Sequence, residues 1–216
     1  MKSFQFYDYI TMISPTGRRA SNLREFINII EESEDNVIFH HMFQSQLKYH
    51  SKTLDYNCDF ANWASDALED FTLAEKLGNF NPYDYPTVVE AKARFLEVIE
   101  EHMWDLPNVP WARPGLEFYF SFATSIIIPS GMKADSLESF KDCLKEINNN
   151  SLYYHFCESR KIKKEKEHDD LSLWVEENFN KQDIVENIRA IDFYFYSLDE
   201  NRNKIIKIIN DYLKQN

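Results

Sequence analysis

Aromatic side chains alternate with other residues at two places along the chain. Phe118, Phe120 and Phe122 occupy every second position, and Phe4 and Phe6 repeat this pattern over a shorter stretch. A period of two is typical of a β-strand. We call these two stretches, residues 4–6 and 118–122, the aromatic leads. We expect each lead to be extended, and the two leads to pair with each other as a small two-stranded ribbon.

Helical spacing governs most of the remaining pattern. After each lead, apolar residues recur every three or four positions, which is the stripe that an amphipathic helix buries. In the two halves of the chain these residues are Leu23, Phe26, Ile27 and Ile30, and Leu137, Phe140 and Leu144. The pattern predicts an all-α protein with at most a minor two-stranded ribbon.

The landmarks of the first half return in the second half in the same order. They are Phe4-Gln5-Phe6 with Phe118-Tyr119-Phe120, Pro15 to Ala20 with Pro129 to Ala134, Phe39-His40-His41 with Tyr153-Tyr154-His155, Asp59 and Trp63 with Asp170 and Trp174, and Tyr83 with Tyr194. This internal duplication predicts two tandem helical lobes, residues 1–105 and 116–216, with pseudo-two-fold packing. A groove between such lobes is a natural place for a ligand.

The connector between the lobes, residues 106–115, contains Pro107, Pro110 and Pro114. Proline removes a backbone donor and fixes φ, so this segment is predicted to be extended and stiff. Trp104 and Trp111 flank or lie in it. Because tryptophan is usually buried or at an interface, we expect both indoles to pack against a lobe or at the interface between the lobes.

Composition narrows the classes of function. The net charge is −12, with −9 in residues 1–112 (9 basic against 18 acidic) and −3 in residues 113–216 (15 against 18). An acidic chain repels phosphate backbones, so we expect no nucleic-acid partner. No apolar run reaches the roughly 20 residues that a membrane helix needs, and residues 1–10 do not resemble a signal peptide. The chain is expected to be cytoplasmic.

Cys58, Cys143 and Cys157 have no spacing typical of a disulfide framework or a zinc site. Sequence motifs for phosphate loops, dinucleotide folds, zinc proteases, calcium loops and serine hydrolases are also missing. We therefore predict no cofactor and no metal site.

His41 and His155 are the strongest candidates for chemistry, because the same position is histidine in both copies. One interpretation makes them catalytic acid/base groups. The other makes each a packed imidazole that hydrogen-bonds a backbone carbonyl or a carboxylate. The unmatched histidines, His40, His50, His102 and His168, are expected on the surface.

The segment Pro-Thr/Ser-Gly is predicted to form a tight turn before a helix, since proline fixes φ and glycine permits φ > 0. With its basic neighbours it could bind a phosphate or carboxylate at the helix N-terminus. The candidate ligand-binding residues are Thr16, Gly17, Arg18 and Arg19 in the first copy and Ser130, Gly131 and Lys133 in the second. A turn followed by a helix cap is the structural alternative.

Asp59 and Asp170 each stand four residues before a tryptophan, Trp63 or Trp174. This spacing predicts that each aspartate caps a helix and that each tryptophan anchors that helix in the core.

The ordered motifs resemble an uncharacterised bacterial and archaeal family of unknown function. The matching stretches are Pro15 to Phe26, Phe39 to His41, Asp59 to Trp63, Leu73-Ala74 and Asn81 to Tyr83, and in the second copy Pro129 to Phe140, Tyr153 to His155, Asp170 to Trp174 and Asp192 to Tyr194. Arg19 stands where the family pattern has lysine, Leu171 where it has phenylalanine and Phe193 where it has proline. The resemblance implies no established activity, and it points to a carbohydrate-active enzyme, such as a glycosyltransferase, as a partner.

Three hypotheses about function follow, of which the third is a purely structural role in oligomerisation through the aromatic leads. The first is a non-enzymatic accessory protein, monomeric or homodimeric, that binds a protein partner or a small anionic metabolite. The second is an enzyme acting on sugars or phosphorylated metabolites, with His41 or His155 as its acid/base in the inter-lobe groove.

Overall fold

The computed structural model describes residues 2–47, 56–162 and 168–215. The chain is mostly helical, with two strands that form one antiparallel sheet. The strands are β1 (Phe4–Ala20) and β2 (Phe118–Ala134). The helices between them are α1 (Leu23–Glu32), α2 (Asp35–Met42), α3 (Asp59–Asp66), α4 (Phe71–Gly78) and α5 (Val88–Trp104).

Six α-helices follow β2 in the described part of the chain: α6 (Leu137–Glu146), α7 (Asn149–Tyr153), α8 (Ser159–Ile162), α9 (Asp170–Phe179), α10 (Gln182–Arg189) and α11 (Leu198–Gln215). A short π-helix, Tyr154–Glu158, joins α7 to α8. Single 3₁₀ turns cover Gln44–Leu47, Pro82–Asp84 and Phe193–Phe195.

The all-α prediction needs one correction, which concerns the strands. The predicted pairing of the two leads is present, but each strand is 17 residues long and is no minor ribbon. Each strand runs on because the Pro-Thr/Ser-Gly segment lies inside it. The tight turn predicted there is wrong.

Glycine explains why the strand can continue through this segment. Gly17 has φ +79° and Gly131 has φ +82°, in the left-handed region that glycine adopts without steric cost. The Thr16 hydroxyl accepts a hydrogen bond from the Arg18 backbone N–H (3.1 Å) and donates to the Phe120 carbonyl across the sheet (2.8 Å). A positive-φ glycine within a strand is typical of a β-bulge, which bends the strand without ending it.

Replacing Gly17 by alanine is expected to lower the free energy of unfolding by about 1–2 kcal/mol. No atom lies within 4 Å of the position that the new Cβ would occupy, so the cost comes from the positive φ and not from a clash. Urea unfolding of the Gly17→Ala variant, with Thr11→Ala from the same strand as the control, measures it. An unchanged midpoint for Gly17→Ala would contradict the left-handed backbone at this position.

The chain forms two compact units, and neither is a continuous piece of sequence. Unit 1 contains Met1–Ile10 and Ser125–Asn216, and unit 2 contains Thr11–Thr124. The repeat boundaries at residues 105 and 116, and the two-fold packing of the lobes, stay predictions.

In unit 2 the core is built around Phe26 of α1. Its ring stacks on Trp63 at 4.8 Å and meets Phe60, Phe118 and Phe120 at centroid distances of 5.1, 5.3 and 5.7 Å. The last two rings come from the start of β2. Burial of such large rings is the main favourable contribution to folding.

In unit 1 the equivalent ring is Phe140 of α6. It lies 4.7 Å from Trp174 and meets Phe4 and Phe6, at the start of β1, at 5.3 and 5.7 Å. Both tryptophans are buried, so their predicted role as core anchors is confirmed.

The strand leads are therefore exchanged between the repeats. The lead of the first repeat packs with the helices of the second repeat, and the lead of the second repeat packs with the helices of the first. The tryptophans show the same exchange: Trp63 Nε1–H donates to the Leu116 carbonyl (2.9 Å), and Trp174 Nε1–H donates to the Lys2 carbonyl (2.7 Å).

The connector is held to unit 2 through its backbone. The Leu23 N–H donates to the Pro110 carbonyl (3.0 Å), and the Ala112 N–H donates to the Ser21 carbonyl (2.8 Å). The expectation that both tryptophans here would be packed is wrong. Trp104 is 88% exposed and Trp111 is 65% exposed.

Among the described residues, no helix has both the length and the apolar character that crossing a lipid bilayer requires.

Candidate functional site

His41 lies near the end of α2 and is buried in unit 2. Its Nδ1 is 2.8 Å from Asp59 Oδ2, and its Nε2 is 2.9 Å from the backbone nitrogen of Ser121 on β2. The ring also packs against Phe118 at a centroid distance of 5.0 Å. The imidazole thus joins helix α3 to strand β2.

His155 repeats this arrangement in unit 1. Its Nδ1 is 3.0 Å from Asp170 Oδ2, and its Nε2 is 3.0 Å from the backbone nitrogen of Tyr7 on β1. The ring packs against Phe4 at 5.0 Å. Each matched histidine therefore holds the strand lead of the other repeat.

The partners determine which ring nitrogen carries the proton. A backbone N–H can only donate, so Nε2 must accept and is unprotonated in both rings. The proton of the neutral imidazole is then on Nδ1, where it is donated to the carboxylate of Asp59 or Asp170. Both ring nitrogens are engaged inside the protein, at 3% and 2% exposure of His41 and His155.

Asp59 and Asp170 hydrogen-bond His41 and His155 and do not cap helices. The capping prediction is therefore wrong. The N-cap of α3 is Cys58, without a side-chain cap bond. The N-cap of α9 is Asp169, whose side chain accepts from the Ser172 N–H (2.7 Å). Each predicted aspartate stands one residue further on, where its carboxylate reaches the imidazole.

Further polar contacts surround the second pair. The Ser159 hydroxyl donates to the His155 carbonyl (2.7 Å) and accepts from the Asp170 N–H (3.3 Å). Arg160 pairs with the fully buried Asp169 at 2.9 Å and lies 4.5 Å from the Phe193 ring centroid. These contacts fix the start of α9 and with it the position of Asp170.

The unmatched histidines are not all at the surface. His40 and His102 are buried, at 3% and 5% exposure, so the expectation is wrong for both. His102 Nε2 is 2.6 Å from Asp70 Oδ2, and Asp70 also caps α4. His168 is half-buried, and His50 lies outside the described residues.

The predicted anion-binding residues lie in the two strands, some distance before the helices. In unit 1 the Ser130 hydroxyl accepts from the Met132 N–H (3.1 Å) and donates to the Phe6 carbonyl (3.0 Å). In unit 2 Arg18 pairs with Glu32 at 2.6 Å. Arg19 and Lys133 are exposed.

The predicted anion site also needed free backbone N–H groups at the N-termini of α1 and α6. Side chains next to these N-termini already accept hydrogen bonds from such groups. Asn22 caps α1 by accepting from the Glu25 N–H (2.9 Å), and Ser136 and Ser139 form a capping box at the start of α6. Anion binding at Thr16 to Arg19, or at Ser130 to Lys133, stays a prediction.

Groups of three or more histidine, cysteine or acidic residues with metal-binding geometry are missing from the part of the chain that the structure describes. A surface groove between α10 and α11 is lined by Asn187, Asp192, Tyr196, Lys204, Lys207 and Asp211, among others. It includes neither matched histidine. Cys58, Cys143 and Cys157 are free thiols, and burial raises the pKa of the Cys157 thiol far above its usual value.

A profile of the family of unknown function DUF5752 matches residues 1–210. The chain belongs to this family. The predicted membership of an uncharacterised family is thereby confirmed.

A solved structure of OrfY from Thermoproteus tenax is similar to this chain over 97% of its length and 95% of OrfY, with 26% sequence identity and a TM-score of 0.74. No curated protein matches the chain. Neither relationship carries a defined activity, so an unknown function is what the comparisons support.

Sequence reasoning missed the pairing of each histidine with an aspartate. The signal was present, because His41 and Asp59 are matched by His155 and Asp170 at similar separations of 18 and 15 residues. Two residues kept together in both copies indicate a contact. The backbone donors Ser121 and Tyr7 could not be found in this way, since any residue supplies an N–H.

Proposed function

We propose that this protein is a non-enzymatic, cytoplasmic accessory protein, a repeated helical scaffold that binds a protein partner. One observation carries the proposal. The residues with the best claim to chemistry, His41 and His155, use both ring nitrogens to hold strands in place. A general base needs a ring nitrogen within reach of a substrate proton.

The free thiols agree with this proposal. A nucleophilic cysteine needs a depressed pKa, and burial has the opposite effect. Burial raises the pKa of Cys157, and burial together with nearby Asp142 raises the pKa of Cys143. Three cysteines that form no disulfide also suit a reducing compartment.

The enzyme alternative makes a different demand on the same residues. For His41 or His155 to act on a substrate, Nε2 would have to release the backbone N–H of Ser121 or Tyr7. Each turnover would then break the hydrogen bond that ties the strand to its histidine. We therefore favour the accessory protein over the enzyme.

A thermal-shift screen tests the proposal. The full chain is heated with sugar phosphates, nucleotides, nucleotide sugars and divalent metals, each alone, and no saturable stabilisation is expected. A true ligand at a hundredfold excess over Kd would stabilise the fold by about 2.7 kcal/mol. In parallel, the immobilised chain is expected to retain a protein from an extract of the source organism at a fixed stoichiometry.

A stabilising compound that the protein also converts to product would overturn the proposal. Failure to retain any protein from the extract, together with such a compound, would establish the enzyme instead.

A further inference from the structure

Four large apolar side chains are exposed at one end of unit 2. Trp104 is 88% exposed, Phe71 66%, Trp111 65% and Leu116 41%. We call these four residues the connector patch, because Trp104, Trp111 and Leu116 flank or lie in the connector. Tryptophan is rarely left in water, and exposed apolar patches commonly mark interaction sites.

Hydrogen bonds join the segments that carry the connector patch. The bond between His102 Nε2 and Asp70 Oδ2, at 2.6 Å, ties the end of α5, next to Trp104, to the start of α4 at Phe71. The Arg113 N–H donates to the Ala67 carbonyl (2.9 Å), which brings the connector to the same end of the unit.

A third hydrogen bond fixes the end of the connector near Leu116. Trp63, a buried anchor of the core, donates to the Leu116 carbonyl (2.9 Å). The patch is therefore built on fixed backbone, and ordering it costs a partner little binding free energy.

Acidic residues are frequent in the segments that carry the patch. The segments 66–71, 101–106 and 111–117 contain six carboxylates, of which Asp70 is bonded to His102 and Glu101 to Arg94; the others are Asp66, Glu69, Asp105 and Glu117. The basic residue of these segments besides buried His102 is Arg113, which is already paired with Glu69 at 3.2 Å. Asp66 and Asp105 are exposed, and neither forms an ion pair with a described residue.

We propose that the connector patch is a docking site for a basic amphipathic helix of a protein partner. The apolar face of that helix would cover the two indoles, and its lysine or arginine side chains would meet the acidic rim and the indole faces. This inference rests on the proposed function, since it names the chemistry of the partner that the accessory protein binds.

Charge decides between the possible occupants. A second copy of this chain would bring an identical acidic rim against the first, and like charges facing each other oppose association. Nucleic acid and anionic lipid are repelled for the same reason. A cationic helix is the occupant whose charge complements the site.

The test uses two synthetic peptides of about 18 residues, or five helical turns. One is a lysine/leucine amphipathic helix, and the other is its glutamate/leucine counterpart. The full chain is expected to bind the lysine/leucine peptide and not the glutamate/leucine peptide. Binding is measured by the change in the tryptophan fluorescence of the protein. The Trp104→Ser/Trp111→Ser variant is expected to bind the basic peptide roughly tenfold or more weakly, as hot-spot aromatics do, measured by anisotropy of a labelled peptide.

Two further variants separate the patch from the general acidity of the chain. Phe195→Ser removes an exposed aromatic side chain from unit 1 and should bind like the original chain. Asp66→Lys/Asp105→Lys keeps the indoles and should weaken binding of the basic peptide severalfold. All changed side chains are exposed, so thermal melting should remain close to that of the original chain.

Three outcomes would overturn the inference: equal binding by the original chain and Trp104→Ser/Trp111→Ser, equal binding of both peptides, or a dimer in sedimentation that the double variant converts to a monomer. Failure of the broader proposal looks different. If an extract protein is retained equally by the original chain and the double variant, the connector patch is excluded as the docking site while partner binding stands.

Discussion

Replacing Phe6 by alanine is expected to destabilise the helices of the second repeat, although Phe6 belongs to the first. Phe6 is fully buried in unit 1, where its ring stacks on Phe140 at 5.7 Å and lies 5.8 Å from His155. Truncating such a ring costs about 3–5 kcal/mol, through lost transfer free energy and the cavity left behind. Native-state hydrogen exchange should show α6, α7, α9, α10 and α11 losing protection by about this amount, while α1 to α5 keep theirs.

The matched variant is Phe120→Ala, which should have the opposite effect. Phe120 is 1% exposed and contacts Phe26 in unit 2, so α1 to α5 are expected to lose protection. Tyr119→Ala, at a position 59% exposed on the same strand, serves as the control and should change stability by less than about 0.5 kcal/mol. Loss of protection in α1 to α5 for Phe6→Ala would contradict the exchange of strand leads.

Replacing His155 by alanine is expected to lower the free energy of unfolding by about 2–4 kcal/mol, because the neutral imidazole donates one hydrogen bond to a carboxylate and accepts another from a backbone N–H. The change leaves the Asp170 carboxylate, 12% exposed, without its imidazole. It also leaves the Tyr7 N–H without its acceptor, which adds a desolvation cost. His41→Ala should behave alike in unit 2. Urea unfolding of each variant measures the loss.

His168→Ala is the control for these variants, because His168 is half-buried and should cost less than about 0.5 kcal/mol. A long-range proton–nitrogen NMR correlation of the imidazole rings gives an independent reading. It should show Nδ1 protonated and Nε2 unprotonated in both His41 and His155. A well-folded His155→Ala variant with unchanged stability would show that the ring has no structural role and would favour the catalytic hypothesis.

Local pattern was enough to predict the helices and the core anchors. The stripe Leu23, Phe26, Ile27 and Ile30 lies in one buried helix, as its spacing indicates, and Trp63 and Trp174 anchor the cores. These features depend on residues close together in sequence, for which periodicity is a sufficient signal. The extended conformation of each lead was predicted for the same reason, since both leads show alternation.

The length of the strands and the exchange of the leads were not predictable in this way. Pro15-Thr16-Gly17 is compatible with a turn or with a bulged strand, and only the cross-strand bond from Thr16 to Phe120 decides between them. The leads of the two copies are alike, so the aromatic pattern does not say which set of helices each lead covers. The histidines were found by duplication, but their backbone partners lie 80 and 148 residues away.

The discontinuity of unit 1 has a consequence for how the protein is made. Residues 1–10 are synthesised before all of residues 125–216, which they need as partners. At roughly 5–20 residues per second, this lead emerges from the ribosome several seconds before its helices exist. Unit 2, formed by residues 11–124, can fold first, whereas Phe4 and Phe6 stay exposed to water until translation has passed Trp174 and the later helices. Unit 1 therefore closes around residues 1–10 only after residues 125–216 have been made.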